Sequence, residues 1–232
     1  IFHDNSGYFL DNCQQFCYSN FVIVQIVNKF NNSDGTNLTK NKGVVDCMRF
    51  GIKTLDEFDY RGKTVICRVD INQPVDRATG TLRSTTRIRA CVPTIRELSD
   101  KGAHVVLLAH QGSDIEYKNY YTLRPHCAVL EELLGRPVQF VEDVCGPAAQ
   151  EAVRSLQDGK ILLLENVRYM AEEQTLFELK LKLTHEQQAQ TVVVRKLAPL
   201  ADLYICDAFA AARSAQSVRL RTGAAFRYGP VV

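Results

Sequence analysis

Between residues 63 and 207 short apolar runs alternate with stretches of helical periodicity, and this alternation constrains the fold more than any other feature. Thr64–Val69 reads as a strand. Ile88, Cys91, Val92, Ile95 and Leu98 then recur at helical spacing, with Gly102 as a stop signal. Pro93 is expected to kink that helix or to mark a late start. His104–Ala109 is the next strand. Cys127, Leu130 and Leu134 mark a second helix, with Pro125 in its first turn and Gly135 after it. Pro137–Val141 is strand-like. Ala149, Ala152, Val153 and Leu156 give a third helix opened by Gly146-Pro147, and Lys160–Leu164 is a continuous apolar strand. Ala189, Val192, Val193, Lys196 and Leu197 suggest a further helix, and Asp202–Cys206 a last strand. Strands alternating with helices imply βαβ units, and strands apolar on both faces imply a parallel sheet covered on both sides. The expected fold is a doubly wound, Rossmann-like α/β domain.

Residues 1–47 differ from this pattern. They contain eight Asn, no Pro and no Glu, and the first Met of the chain is Met48. Residues 21–27 have strand character, but no partner is evident nearby. Two readings stand: a partner-binding arm, or translated sequence upstream of a true start at Met48. The second is favoured. Asn31-Asn-Ser and Asn37-Leu-Thr match the glycosylation pattern and are read as chance. The expected division is an atypical extension over 1–47, an α/β domain over 48–217 and a divergent tail over 218–232.

Composition excludes several classes. The formal net charge is +2, too small to argue for nucleic acid or an acidic membrane surface. The longest apolar runs, such as Phe21–Val24 and Ile161–Leu164, fall far short of the ~20 residues a membrane helix needs. The eight cysteines form no CxxC pair and no zinc-spaced cluster, so a reduced, intracellular protein without a metal site is expected. No GxGxxG, GxxxxGK[ST] or GxSxG occurs. Past Asp207 the chain has no acid, while Arg213, Arg219, Arg221 and Arg227 follow. That run suits a solvated tail first and one side of an anion site second.

In open parallel sheets, ligands bind beyond the carboxyl ends of the strands. The residues that follow the strands are therefore the candidates. Asp70 and Asn72 follow the first strand, and His110 and Gly112 the second. Glu165, Asn166 and Arg168 follow the fourth, and Asp207 the last. Arg168, with Arg87 at the start of the first helix, suits bidentate contact to phosphate or carboxylate. Asp70 and Asn72 suit a hydroxyl. Together they fit a small, anionic, hydroxylated ligand. A plainer reading has Asp70 and Asp207 as helix caps, Arg87 in a surface ion pair and His110 as a satisfied buried histidine.

Several segments resemble one family in the right order. Gly62–Pro74 is similar to the RVDxNxP segment of phosphoglycerate kinases, and Thr86–Ala90 and Pro93–Ile95 to the TRIRA and PTI that follow it. Leu108–Gly112 resembles the start of the archaeal HQGRP loop, and Leu162–Tyr169 resembles LLLENVRF. Arg195–Tyr204 and Asp207–Ala212 also match the archaeal form.

The resemblance implies the amino-terminal, 3-phosphoglycerate-binding domain of that enzyme, monomeric and cytoplasmic. Asp70 and Asn72 would position the substrate's hydroxyl and carboxylate region. Arg87 would orient the acyl phosphate and stabilise the transferring phosphoryl group. His110, Arg168 and Arg213 would surround the substrate's phosphate. Mg-ATP would be bound by the family's other domain, which is missing here; this chain would hold no cofactor itself.

Departures from the family pattern fall at Ser113, Asp114, Cys206, Arg213 and Ser214. Weak 3-phosphoglycerate binding and no ATP turnover by this chain alone are expected. The alternative is a non-catalytic small-anion binding module derived from the same domain.

Overall fold

The structure is a computed structural model. It describes residues 58–76, 78–112, 120–173 and 189–208, together with Leu55, Gln187 and the backbone of 23–26. Six strands form one sheet: β1 (Ile23–Ile26), β2 (Thr64–Val69), β3 (His104–Leu108), β4 (Val138–Val141), β5 (Ile161–Leu164) and β6 (Leu203–Asp207). Among the described residues, four α-helices with given bounds accompany them: α1 (Thr86–Asp100), α2 (Arg124–Leu134), α3 (Pro147–Ser155) and α4 (Val192–Leu197). The strand order is β1-β6-β2-β3-β5-β4. β6, β2, β3, β5 and β4 are mutually parallel, and β1 runs antiparallel along the free edge of β6. The strand-like residues near the start thus pair with the last strand of the sheet, Ile23 opposite Cys206 and Ile26 opposite Leu203.

Alternate residues of each strand feed two cores. On one face Val65, Cys67, Val69, Val105, Leu107, Ile161, Leu163, Leu203 and Ile205 meet Ile88, Cys91, Ile95 and Leu98 of α1 and Cys127, Leu130 and Leu134 of α2. On the other face Ile66, Val106, Leu108, Leu162, Leu164 and Tyr204 meet Ala149, Ala152 and Val153 of α3 and Val193, Val194 and Leu197 of α4. Each fully buried Ile or Leu contributes about 1.5–3 kcal/mol over an exposed one. A sheet buried on both faces has no room for polar side chains in its middle, so the polar residues collect at the strand ends.

Two local expectations are corrected. α1 runs without a break through Pro93. Pro93 and Arg89 both lie on the exposed face, so the Arg89 carbonyl that loses its donor is open to water. The last helix is shorter than its periodicity suggests. A turn at Gln190 and the extended backbone of Thr191 delay its start, Val194 is buried, and Val192 is 41% exposed. The Glu172 carboxylate accepts the Val192 N–H there.

α1 and α2 leave β2 and β3 on one face, whereas α3 and α4 leave β4 and β5 on the other. β3 and β5 are neighbours in the sheet. Their connections diverge to opposite faces, the arrangement that in open α/β sheets marks where ligands bind. Asp143, just after β4, organises the adjoining turn into α3. Its carboxylate accepts the N–H groups of Cys145 (3.2 Å), Gly146 (2.8 Å) and Ala149 (3.0 Å). A Cβ at Gly146 would stand 2.7 Å from that carboxylate, so the turn needs glycine.

Candidate functional site

The parallel register puts the ends of β2, β3, β5 and β6 at one edge of the sheet: Arg68 pairs with Leu108, Leu107 with Leu163 and Val69 with Asp207. The chain leaves β2 at Val69, and Asp70 and Asn72 follow at that edge. α1 runs back along the sheet, so its first turn, with Arg87, starts there too. Arg87 Nη1 donates to both Asp70 carboxylate oxygens, at 3.1 and 3.2 Å. Asp70 also accepts the Asn72 N–H at 3.4 Å. The Asn72 amide nitrogen lies 3.4 Å from His110 Nε2, and its oxygen accepts the Gly112 N–H at 3.2 Å. Asp70, Asn72, Arg87 and His110 are therefore one connected group.

Arg168 joins them through the backbone. It lies in a 3-10 turn over Val167–Tyr169, immediately beyond β5, where Asn166 Oδ1 accepts its N–H at 3.0 Å. The same Asn166 amide clasps the backbone of Gln111, accepting from its N–H (3.1 Å) and donating to its carbonyl (2.9 Å). Four of the six expected site residues thus sit just beyond neighbouring strand ends, with Arg87 beside them in the first turn of α1. Arg213 lies outside the described residues, as do Ser113, Asp114 and Ser214.

The plainer reading holds for His110, which is buried and bonded, and for Arg87, which is in a half-exposed ion pair, but neither aspartate caps a helix among the described residues. Asp70 is tied to Arg87 and the following turn. His110 is buried against Asn72 beyond the end of β3. Asp207 is a largely buried carboxyl at the end of β6. Burial pushes its pKa up to about 7, the Thr94 hydroxyl opposes the shift, and its Oδ2 has no hydrogen bond among the described residues.

Several buried polar residues fall outside the strand-end pattern. Gln73 and Gln111 lie within the family-like segments but were assigned no role. His126, fully buried in α2, donates toward Gln111. Arg68, inside β2, faces Glu173 at 3.8 Å, both buried. A cation one residue from the end of an apolar strand is the one signal that could have flagged Arg68. For His126 there was none beyond a polar residue at a core position of the helical period.

The fold and the polar group define a class: a doubly wound α/β domain with polar and arginine side chains gathered at the carboxyl ends of its strands. The family model for phosphoglycerate kinase matches residues 55–225. The chain is 50% identical over 167 residues to the phosphoglycerate kinase of Methanothermobacter thermautotrophicus, covering 72% of this chain and 39% of that protein. It is 47% identical over 165 residues to that of Methanococcus maripaludis, covering 70% and 39%. Its fold is similar to the crystal structure of phosphoglycerate kinase from Pyrococcus horikoshii, with a TM-score of 0.57 at 37% identity, over 63% of this chain and 34% of that one. The chain belongs to the phosphoglycerate kinase family, and it spans about two fifths of the length of the curated relatives it matches.

Among the described residues, no helix is long and apolar enough to cross a membrane, and no group of three or more His, Cys, Asp or Glu is placed to hold a metal ion.

Proposed function

We propose that this chain binds 3-phosphoglycerate at the tips of β2, β3 and β5, as the substrate-holding part of a phosphoglycerate kinase, which converts ATP and 3-phosphoglycerate to ADP and 1,3-bisphosphoglycerate. The convergence of Asp70, Asn72, Arg87 and His110 at one sheet edge carries this reading. Phosphoryl transfer depends on positioning and charge neutralisation, and a cleft for it needs fixed cations and oriented hydrogen-bonding groups rather than a nucleophile of its own.

The residues divide that work by chemistry. Asn72 offers an oriented amide, held by Gly112, to a hydroxyl or carboxylate. Asp70 keeps the Arg87 guanidinium at the cleft while leaving it half exposed (53%) and able to turn toward an acyl phosphate. His110 and Arg168 flank the phosphate, and Arg213 extends the cationic side. Mg-ATP is the family's phosphoryl donor. The described residues do not fit it, since they present neither a metal-ligating group nor a glycine-rich phosphate cradle. The roles assigned to this chain are therefore limited to binding and orienting the acid. A monomer in the cytoplasm is the setting that goes with them.

Calorimetric titration of the purified chain with 3-phosphoglycerate and with glycerate tests the reading. Tighter binding of the phosphorylated acid is expected; equal or absent binding would sink it. A coupled assay on the same sample separates a substrate-binding part, which turns over no ATP alone, from a competent kinase.

A further inference from the structure

We infer that Gln111 is a positioning residue of this cleft: its buried side chain and backbone lock the tips of β2, β3 and β5 and the start of α1 into one register, with His126 holding its amide in place. The inference deepens the proposed 3-phosphoglycerate site and rests on that reading for its consequence on affinity.

Gln111 follows His110 and is buried. Its side chain makes the pair of bonds a neighbouring strand would make: Oε1 accepts the Gln73 N–H at 3.0 Å and Nε2 donates to the Gln73 carbonyl at 2.8 Å. Two bonds to one residue's backbone fix both the position and the tilt of the peptide that follows Asn72. The backbone of Gln111 is clasped in turn by Asn166, just beyond β5.

The chain of contacts continues into α1. With its amide oriented to match its neighbours, Gln73 Oε1 accepts the N–H groups of Arg87 (2.8 Å) and Ile88 (3.3 Å). Two otherwise open donors of the helix start are satisfied there, and no side chain at Thr85 caps them. On the far side, His126 Nε2 lies 2.9 Å from Gln111 Oε1. That oxygen can only accept, so the His126 proton sits on Nε2. Both lone pairs of the Gln111 oxygen are then used, one by Gln73 and one by His126.

None of these groups needs to touch a ligand. Each is instead the sequence neighbour or backbone partner of a residue that does in the proposed site. Gln73 follows Asn72, Gln111 follows His110, Arg87 donates its N–H to Gln73, and Arg168 donates its N–H to Asn166. An apolar side chain at position 111 would leave the Gln73 N–H, the Gln73 carbonyl and His126 Nε2 buried without partners. The tips would then separate until water reached them.

The test compares the full chain with Gln111→Leu, His126→Leu, His126→Gln and a control, Ile161→Val, a buried residue at the opposite end of β5. Affinity for 3-phosphoglycerate is measured by calorimetry well below each variant's melting temperature, where a purely structural loss leaves it unchanged. Gln111→Leu is expected to weaken binding about tenfold or more, and His126→Leu by several-fold. His126→Gln, whose amide keeps a donor, should recover most of the loss, and Ile161→Val should bind as the unaltered chain does. Unchanged affinity in Gln111→Leu, or His126→Gln no better than His126→Leu, would overturn the inference.

Amide hydrogen exchange gives a reading that stands even if the unaltered chain binds no 3-phosphoglycerate. Gln111→Leu should accelerate exchange at Gln73, Arg87 and Gly112 together. Acceleration at Gln73 alone would contradict a shared register.

Discussion

Asn72 and His110 meet across the groove between β2 and β3, amide nitrogen to ring nitrogen at 3.4 Å. The amide nitrogen donates, so His110 Nε2 accepts and its proton sits on Nδ1. The Asn72 oxygen is occupied by the Gly112 N–H. The contact thus sets the tautomer of one site residue and the amide orientation of the other. Asn72→Asp replaces the donor with an acceptor and sets a second carboxylate beside Asp70. The expected result is a loss of 3-phosphoglycerate affinity of about tenfold or more, larger than that of Asn72→Ala. Paired titrations check it; a smaller loss for the aspartate would contradict the assigned geometry.

The Arg87–Asp70 pair has little to do with stability. Arg87 is half exposed, and exposed pairs contribute about 0–1 kcal/mol. Arg87→Lys should therefore leave the melting temperature within about 2 °C while weakening 3-phosphoglycerate binding, because the guanidinium bonds Asp70 through Nη1 alone and keeps Nη2 and Nε for a ligand, whereas a lysine has only one nitrogen for both. Thermal scans and titrations of the same sample measure both.

Two buried groups give opposing pH dependences. Burial pushes the His126 pKa down to about 4, against about 6.5 in an unfolded chain. The unfolded chain binds the extra proton between those values, so this group's contribution to stability falls as pH drops from about 6.5 to about 4. Asp207 is raised to about 7, against about 3.9 unfolded. The folded chain keeps that proton longer, so its contribution is present at low pH and is lost as pH rises from about 4 to about 7. Each full shift corresponds to roughly 3–4 kcal/mol, and the slopes oppose each other between about pH 4.5 and 6.5. In urea titrations, Asp207→Asn should make stability rise more steeply with pH there, and His126→Gln should make it fall. Parallel pH profiles for the two variants would refute these assignments.

α2 ends on Gly135, whose φ of 68° lies in the left-handed region and whose N–H bonds the Glu131 carbonyl at 2.9 Å. No atom lies within 4 Å of a Cβ placed there, so conformational strain is the only penalty. Gly135→Ala should cost about 1 kcal/mol in denaturant titration, with 3-phosphoglycerate affinity unchanged.

The α/β architecture was legible in the sequence because burial on both faces leaves a plain mark. Ile161–Leu164 has no polar residue, and all four of its side chains are buried. Gly135 marked the end of α2 for the conformational reason just given. The proximity of the candidate residues was legible for the complementary reason: Asp70, His110 and Arg168 follow apolar runs, and a parallel sheet brings the ends of those runs to one edge.

What was not legible depended on neighbours distant in sequence. The partner of Ile23–Ile26 is a strand about 180 residues away. Pro93 is tolerated because its carbonyl partner faces solvent. The clasp of Gln73, Gln111 and His126 is made by side chains bonding to backbone or to one another. No spacing rule anticipates such bonds, since loop glutamines and a core histidine carry no periodic signature.

The account's central claim is that Asp70, Asn72, Arg87, His110 and Arg168 serve one phosphorylated acid at one edge of the sheet. The most direct measurement is a nitrogen-15 NMR titration of the full chain with 3-phosphoglycerate. The account predicts saturable shifts at all five residues, following a single binding curve, and their loss in Arg168→Ala. Shifts centred elsewhere, for instance around Tyr169 and Lys196 beyond β4, or separate curves for Arg87 and Arg168, would contradict it.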